Sequence, residues 1–94
     1  MDDLSFVIRD LNPVASIHLL IIPIKHVTDI STSSKDQFDL LSHLIMVAKR
    51  MVDQHKDLAD DGWRLVINQG RSSGQEVSHL HLHILGGQNL GPIA

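Results

Sequence analysis

The chain contains no cysteine. Neither a disulfide framework nor a cysteine-ligated zinc site is therefore possible, and a cytoplasmic location is the expectation for such a sequence. Any basic cluster is missing too. Eight lysines and arginines are scattered among eleven acidic residues, for a net charge of −3, which argues against general affinity for nucleic acid. Apolar runs are short: Leu19 to Ile22 falls far below the length that spans a membrane. The N-terminus, Met1-Asp2-Asp3, is acidic and unlike a signal peptide. No repeat or low-complexity segment is visible. The 94 residues, 43% of them hydrophobic, suffice for a single domain spanning residues 1–94. A chain this short buries a modest share of its surface, so association with a second copy would help.

What is present reads as short strands around one long helix. Leu4 to Arg9 is a short strand, and Asp10-Leu11-Asn12-Pro13 a turn broken by Asn-Pro. Ile17 to Ile22, closed by Pro23, is a buried strand, too brief for a helix. Beyond a polar joint at Ser31 to Ser34, Ser34 and Gln37 have the spacing of a capping box. Phe38, Leu41, Ile45, Ala48 and Val52 then recur at three- and four-residue steps, so a helix runs from Lys35 to His55 with a broad apolar stripe. Asp60-Asp61-Gly62 is a turn, Trp63 to Asn68 a strand, and Gln69 to Gly74 a glycine- and serine-rich loop. Val77 to Leu85 is the last strand, ended by Gly86-Gly87. Strands joined by short turns, with one helix between the pairs, predict an α+β fold: an antiparallel sheet of four to five strands with one long helix.

The last strand carries the most informative residues, His79-Leu80-His81-Leu82-His83. Alternation places the three imidazoles on one face and the leucines on the other, with neighbouring rings about 6.5–7 Å apart along an extended chain. Three readings compete. A neutral imidazole can attack an electrophile while its neighbours donate protons. His-x-His on a strand can also place two metal ligands, with His18 as a further one. The third reading is a solvated face without a role. His26, His43 and His55 lie at a strand end or on the helix and read as partly solvated. Phe38 and Trp63 read as core or interface.

The flanking residues distinguish these readings. Asn68, the loop ending Gly74-Gln75-Glu76-Val77-Ser78, the three histidines and Gly86-Gly87 resemble the histidine-triad superfamily. So do Arg9 to Pro13, His18 to Pro23, Lys25-His26 and Gly62 to Asn68, so the resemblance covers nearly the whole chain. The ending Leu85 to Pro92 is similar to the Hint branch, the purine nucleoside phosphoramidases. The resemblance implies a metal-free, cofactor-free hydrolase acting on a purine nucleotide. In it His81 attacks the α-phosphorus, forming a nucleotidyl-histidine that water then releases. His79 would fix the orientation and tautomer of His81, and His83 and His18 would donate to phosphate oxygens and the leaving amine. Asp10 would hold the ribose hydroxyls, and Ile8, Leu11 and Leu20 would line the base pocket. Asn68, Gly74, Gln75, Glu76 and Val77 would surround the phosphate and leaving group. It also implies a homodimer whose sheet continues across the two copies.

Two departures from the family pattern bear on function. Many Hint-type sequences have a serine where Glu76 stands, and a carboxylate beside a phosphate repels it unless turned away or protonated. Family members also usually carry a helix and one more strand ahead of Asp2, which form part of the purine pocket. Their absence predicts weaker nucleoside affinity and an exposed sheet edge. The alternatives are a dinucleoside polyphosphate hydrolase or nucleotidyl transferase of the same superfamily, an impaired nucleotide-binding or scaffold protein, and a zinc-binding module.

Overall fold

The computed structural model describes residues 2, 4–25, 27, 35–75 and 79–93. Four strands form its sheet: β1 (Ser5–Arg9), β2 (Ile17–Pro23), β3 (Trp63–Ile67) and β4 (Leu82–Gly86). Their order across the sheet is β1-β2-β4-β3, and every neighbouring pair is antiparallel. Helix α1 (Lys35–Gln54) and the short helix α2 (Lys56–Asp61) separate β2 from β3. The chain is thus α+β, as its alternation of apolar patterns predicts.

Period-two patterning divides the sheet into a core face and an open face. Leu19 and Ile21 of β2 and Leu82 and Ile84 of β4 enter one core with Leu44, Val47, Ala48 and Val52 of α1. The intervening residues of β2 and β4, His18, Leu20, His83 and Leu85, belong to the other face. Register aligns a row across it, because Ile8 lies opposite Leu20, Leu20 opposite His83, and His83 opposite Val66. An apolar floor therefore leads directly to a histidine.

Several expectations need correction. The last strand begins at Leu82, not Val77, because the Leu80 N–H donates to the Val27 carbonyl (2.6 Å) instead of to a sheet neighbour. His79 and His81 therefore precede the strand. Residues 56–61 are helical, although Asp60-Asp61-Gly62 reads as a turn. Six residues are too few to show periodicity, and α2 is fixed by one fully buried side chain, Leu58. On α1 the core side centres on Leu44, Val47, Ala48 and Val52, leaving Phe38 57% and Ile45 43% exposed. Trp63 is likewise no core residue, at 38% exposure. Ser34, His26, Glu76 and Val77 lie outside the described residues, so the capping box and the Glu76 departure have no structural account. No helix among the described residues is long and apolar enough to cross a membrane.

Candidate active site

The site sits where β4 begins, beside the middle of β2. His79 is anchored first: its Nε2–H donates to the Pro23 carbonyl at the end of β2 (2.9 Å). With Leu80 held by Val27, the 79–81 backbone is tied at two consecutive residues. The His79 carbonyl in turn accepts the Nδ1–H of His81 (2.7 Å). A carbonyl can only accept, so Nδ1 carries the proton, and the neutral ring keeps its lone pair on Nε2. The His81 and His83 rings meet edge to face with centroids 4.9 Å apart, closer than a straight strand allows because His81 lies before the ladder.

A backbone amide dictates the state of His18. The Val14 N–H donates to His18 Nδ1 (3.2 Å), so the proton of this ring is on Nε2. From there it points to His83 Nδ1 at 2.8 Å, with a longer contact to Asp10 Oδ2 at 3.3 Å. Asp10 is held beside His18 by its own N–H, which donates to the His18 carbonyl (3.0 Å), while its Oδ1 accepts the Asn12 N–H (2.8 Å). Burial pushes His83 below the ordinary histidine value of 6.5; His81 and His18 push the same way and Asp10 opposes them. A neutral His83 that accepts at Nδ1 must carry its proton on Nε2. That nitrogen is shielded from solvent and has no hydrogen-bond partner among the described residues. Leaving such a donor unpaired costs about 1–3 kcal/mol, which an arriving anionic oxygen would recover.

The ligand atoms of Asp10, His18 and His83 lie within 4.8 Å of one another, a grouping that invites a metal reading. Their hydrogen-bonding state disfavours it. To ligate a cation, His18 must move its Nε2 proton to Nδ1, where the Val14 N–H already points. As arranged, His83 presents an Nε2 proton and not a lone pair, which suits an anionic oxygen better than a metal ion.

Of the expected site residues, the structure gathers His18, His81, His83 and Asp10, with His79 behind them and Ile8 and Leu20 on the adjoining floor. Asn68 directly follows β3, whose last residue Ile67 pairs with Leu82 at the start of β4. Gly74 ends a 3-10 turn in the left-handed region (φ 87°), and Gln75 Oε1 accepts the Gly70 N–H (2.8 Å). Leu11 instead projects into solvent, 94% exposed. The resemblance anticipates a tie from His79 to His81, but sequence reasoning missed two other main-chain partners, the Pro23 carbonyl and the Val14 N–H. Backbone groups leave no trace in residue identity, so no sequence signal could have found them.

The apolar floor, the Nε2 lone pair of His81 and the unpaired Nε2–H of His83 together form a candidate site for an anionic ligand. A model of the HIT domain family matches residues 1–90. The purine nucleoside phosphoramidase of Escherichia coli is 41% identical over 92 residues, covering 98% of this chain and 76% of that protein. Among solved structures, a histidine triad protein from Clostridium difficile superposes with a TM-score of 0.92 at 35% identity, covering 100% of this chain and 81% of that one. A HIT family hydrolase from Legionella pneumophila gives 0.89 at 41% identity, covering 97% and 80%. The chain belongs to the HIT domain family, and its enzymatic class is hydrolase.

Proposed function

We propose that this hydrolase cleaves the phosphorus–nitrogen bond of purine nucleoside phosphoramidates through a nucleotidyl intermediate on His81. The observation that carries the reading is the His81 Nδ1–H to His79 carbonyl bond, which leaves Nε2 as the nucleophile. In the first step Nε2 attacks the α-phosphorus, a phosphorus–nitrogen bond to His81 forms, and the bond to the leaving amine breaks. The unpaired Nε2–H of His83 hydrogen-bonds a phosphate oxygen and gives its proton to the departing nitrogen, which leaves as a neutral amine. Water then attacks phosphorus and gives a proton back to His83 Nε2, the bond to His81 breaks, and a nucleoside monophosphate leaves with both rings restored. Ile8 and Leu20 support the base, Asp10 accepts from the ribose hydroxyls, and Asn68, Gly74 and Gln75 border the phosphate. The nature of the leaving group rests on the likeness to the E. coli phosphoramidase.

The test is turnover of adenosine 5′-phosphoramidate, with the acid-quenched reaction examined by mass spectrometry for an adenylyl adduct. Wild-type protein should turn over and show the adduct on His81. His81→Ala should lose at least about a thousandfold in kcat with its fold intact. Undiminished turnover in that variant, or no turnover by the wild type, overturns the reading.

The same reading has the protein working as a homodimer. β3 is an outer strand of the sheet, with Trp63 exposed at its start. Phe38 and Ile45, seven residues apart on one side of α1, are exposed as well. Together they offer a strand edge and an apolar helix stripe to a second copy.

A further inference from the structure

The loop between β1 and β2 is pinned by a residue 72 positions away. Gln88, two residues past β4, accepts through Oε1 both the Ser16 N–H (2.7 Å) and the Ser16 hydroxyl (2.8 Å). Gly87 makes this approach possible. Its φ is 78°, and a Cβ there would stand 2.9 Å from Ile17 Cγ1 and 3.2 Å from the Ser16 Cβ. Ser16 is two residues from Val14, and Ala15 between them is buried, so fixing Ser16 leaves the Val14 amide little freedom. That amide donates to His18 Nδ1.

We propose that Gln88 is a positioning residue for the histidine cluster: by holding Ser16 it keeps the Val14 N–H on His18 and so sets the tautomers of His18 and His83. If the loop drifts, only the longer Asp10 contact (3.3 Å) still favours the proton of His18 on Nε2, and a share of the molecules carries it on Nδ1. Its Nε2 then becomes an acceptor facing the acceptor His83 Nδ1, and the 2.8 Å contact survives only if His83 moves its own proton to Nδ1. The donor at His83 Nε2 is lost in that exchange. The consequence for turnover rests on the phosphoramidase reading, whereas the tautomer claim stands on the hydrogen bonds alone.

The test compares Gln88→Ala with Gln88→Glu, which keeps the acceptor. Two-bond proton–nitrogen correlations of the imidazoles in 15N-labelled protein report the tautomers without substrate. Turnover of adenosine 5′-phosphoramidate reports the consequence. In wild type, His18 and His83 should both carry their proton on Nε2. Gln88→Ala should show mixed tautomers and lose about tenfold in kcat, with KM held within about twofold. Gln88→Glu should recover both readouts. Ser16→Ala, which keeps the amide donor, gives a smaller change in the same direction and serves if the first variant misfolds. Wild-type imidazole signals in Gln88→Ala overturn the proposal, and so does a loss of kcat without a change in those signals. Correct tautomers in a wild type that turns over no phosphoramidate would sink the substrate reading and leave the Gln88 assignment standing.

Discussion

At the residue scale, the site depends on rings whose proton positions are imposed by backbone groups. His83 is the sensitive member because burial holds it below 6.5. Protonation would place a hydrogen on its Nδ1, directly against the Nε2–H of His18, and break their contact. The sign for stability follows from linkage. Between 6.5 and the lower folded value, the unfolded chain binds a proton that the native state does not, so stability falls as pH drops through that window. Wild-type protein should therefore lose more melting temperature than His83→Asn between pH 7.5 and 5.5, in thermal melts followed by circular dichroism. Activity should fall along an acid limb lying below 6.5; a limb above that value would contradict the assigned state of His83. The histidines stood out in the sequence by their alternation with aliphatic residues, although only His83 of the three lies on the strand. The proton position of His18 was not legible there, because the Val14 amide that fixes it is a backbone group that residue identity does not reveal.

At the element scale, the glycine that ends the last strand has a packing role visible only in three dimensions. A Cβ on Gly86 would stand 2.2 Å from Leu58 Cδ2 and 3.3 Å from the Gly62 carbonyl oxygen. The end of β4 therefore passes flush against α2, the helix that sequence periodicity missed. Gly86→Ala should cost about 1–3 kcal/mol by overpacking, and Leu58→Ala about 2–5 kcal/mol by opening a cavity. The double variant should cost less than the sum, because the added methyl occupies the space that Leu58 vacates. Urea unfolding of the three variants measures the coupling, and strict additivity would refute the contact. A second tie joins β1 to α1. Asp2 accepts from the Leu4 and Ser5 amides, both at 2.8 Å, and from His43 Nε2 at 3.0 Å. The Leu4 amide, with help from Ser5 and His43 and against desolvation, lowers the Asp2 carboxyl to about 2. Its stabilisation is complete above 3.8 and lost as pH falls through about 2. Asp2→Ala should lower the urea midpoint at pH 7, with the gap to wild type closing as pH falls from 3.8 to 2; a constant gap would show that the carboxylate is not responsible. The succession of strands along the chain and the span of α1 could be read from periodicity. The short α2 and the late start of β4 could not, since one is fixed by a single buried leucine and the other by the Leu80–Val27 hydrogen bond.

At the scale of the whole molecule, the helix stripe that looks excessive for one core becomes intelligible. Sequence periodicity joined Phe38 and Ile45 to Ala48 and Val52 in one face, but the structure divides them: the latter two are buried and the former exposed. A single sheet face cannot cover so broad a stripe, and the remainder adjoins solvent on a molecule in which β3 is an open edge among the described residues. An unpaired strand edge next to exposed apolar groups favours association. If the dimer reading holds, sedimentation equilibrium at micromolar concentration should give twice the 10.5 kDa of one chain. Ile45→Glu should shift it to the monomer, because a buried unpaired carboxylate at an interface is costly, while the exposed position leaves the fold of the single chain unchanged. Trp63, the only tryptophan, stands at the start of the edge strand, so its emission should move to longer wavelength as the dimer dissociates. A monomeric wild type, or a dimer indifferent to Ile45→Glu, would place the apolar stripe outside any such interface.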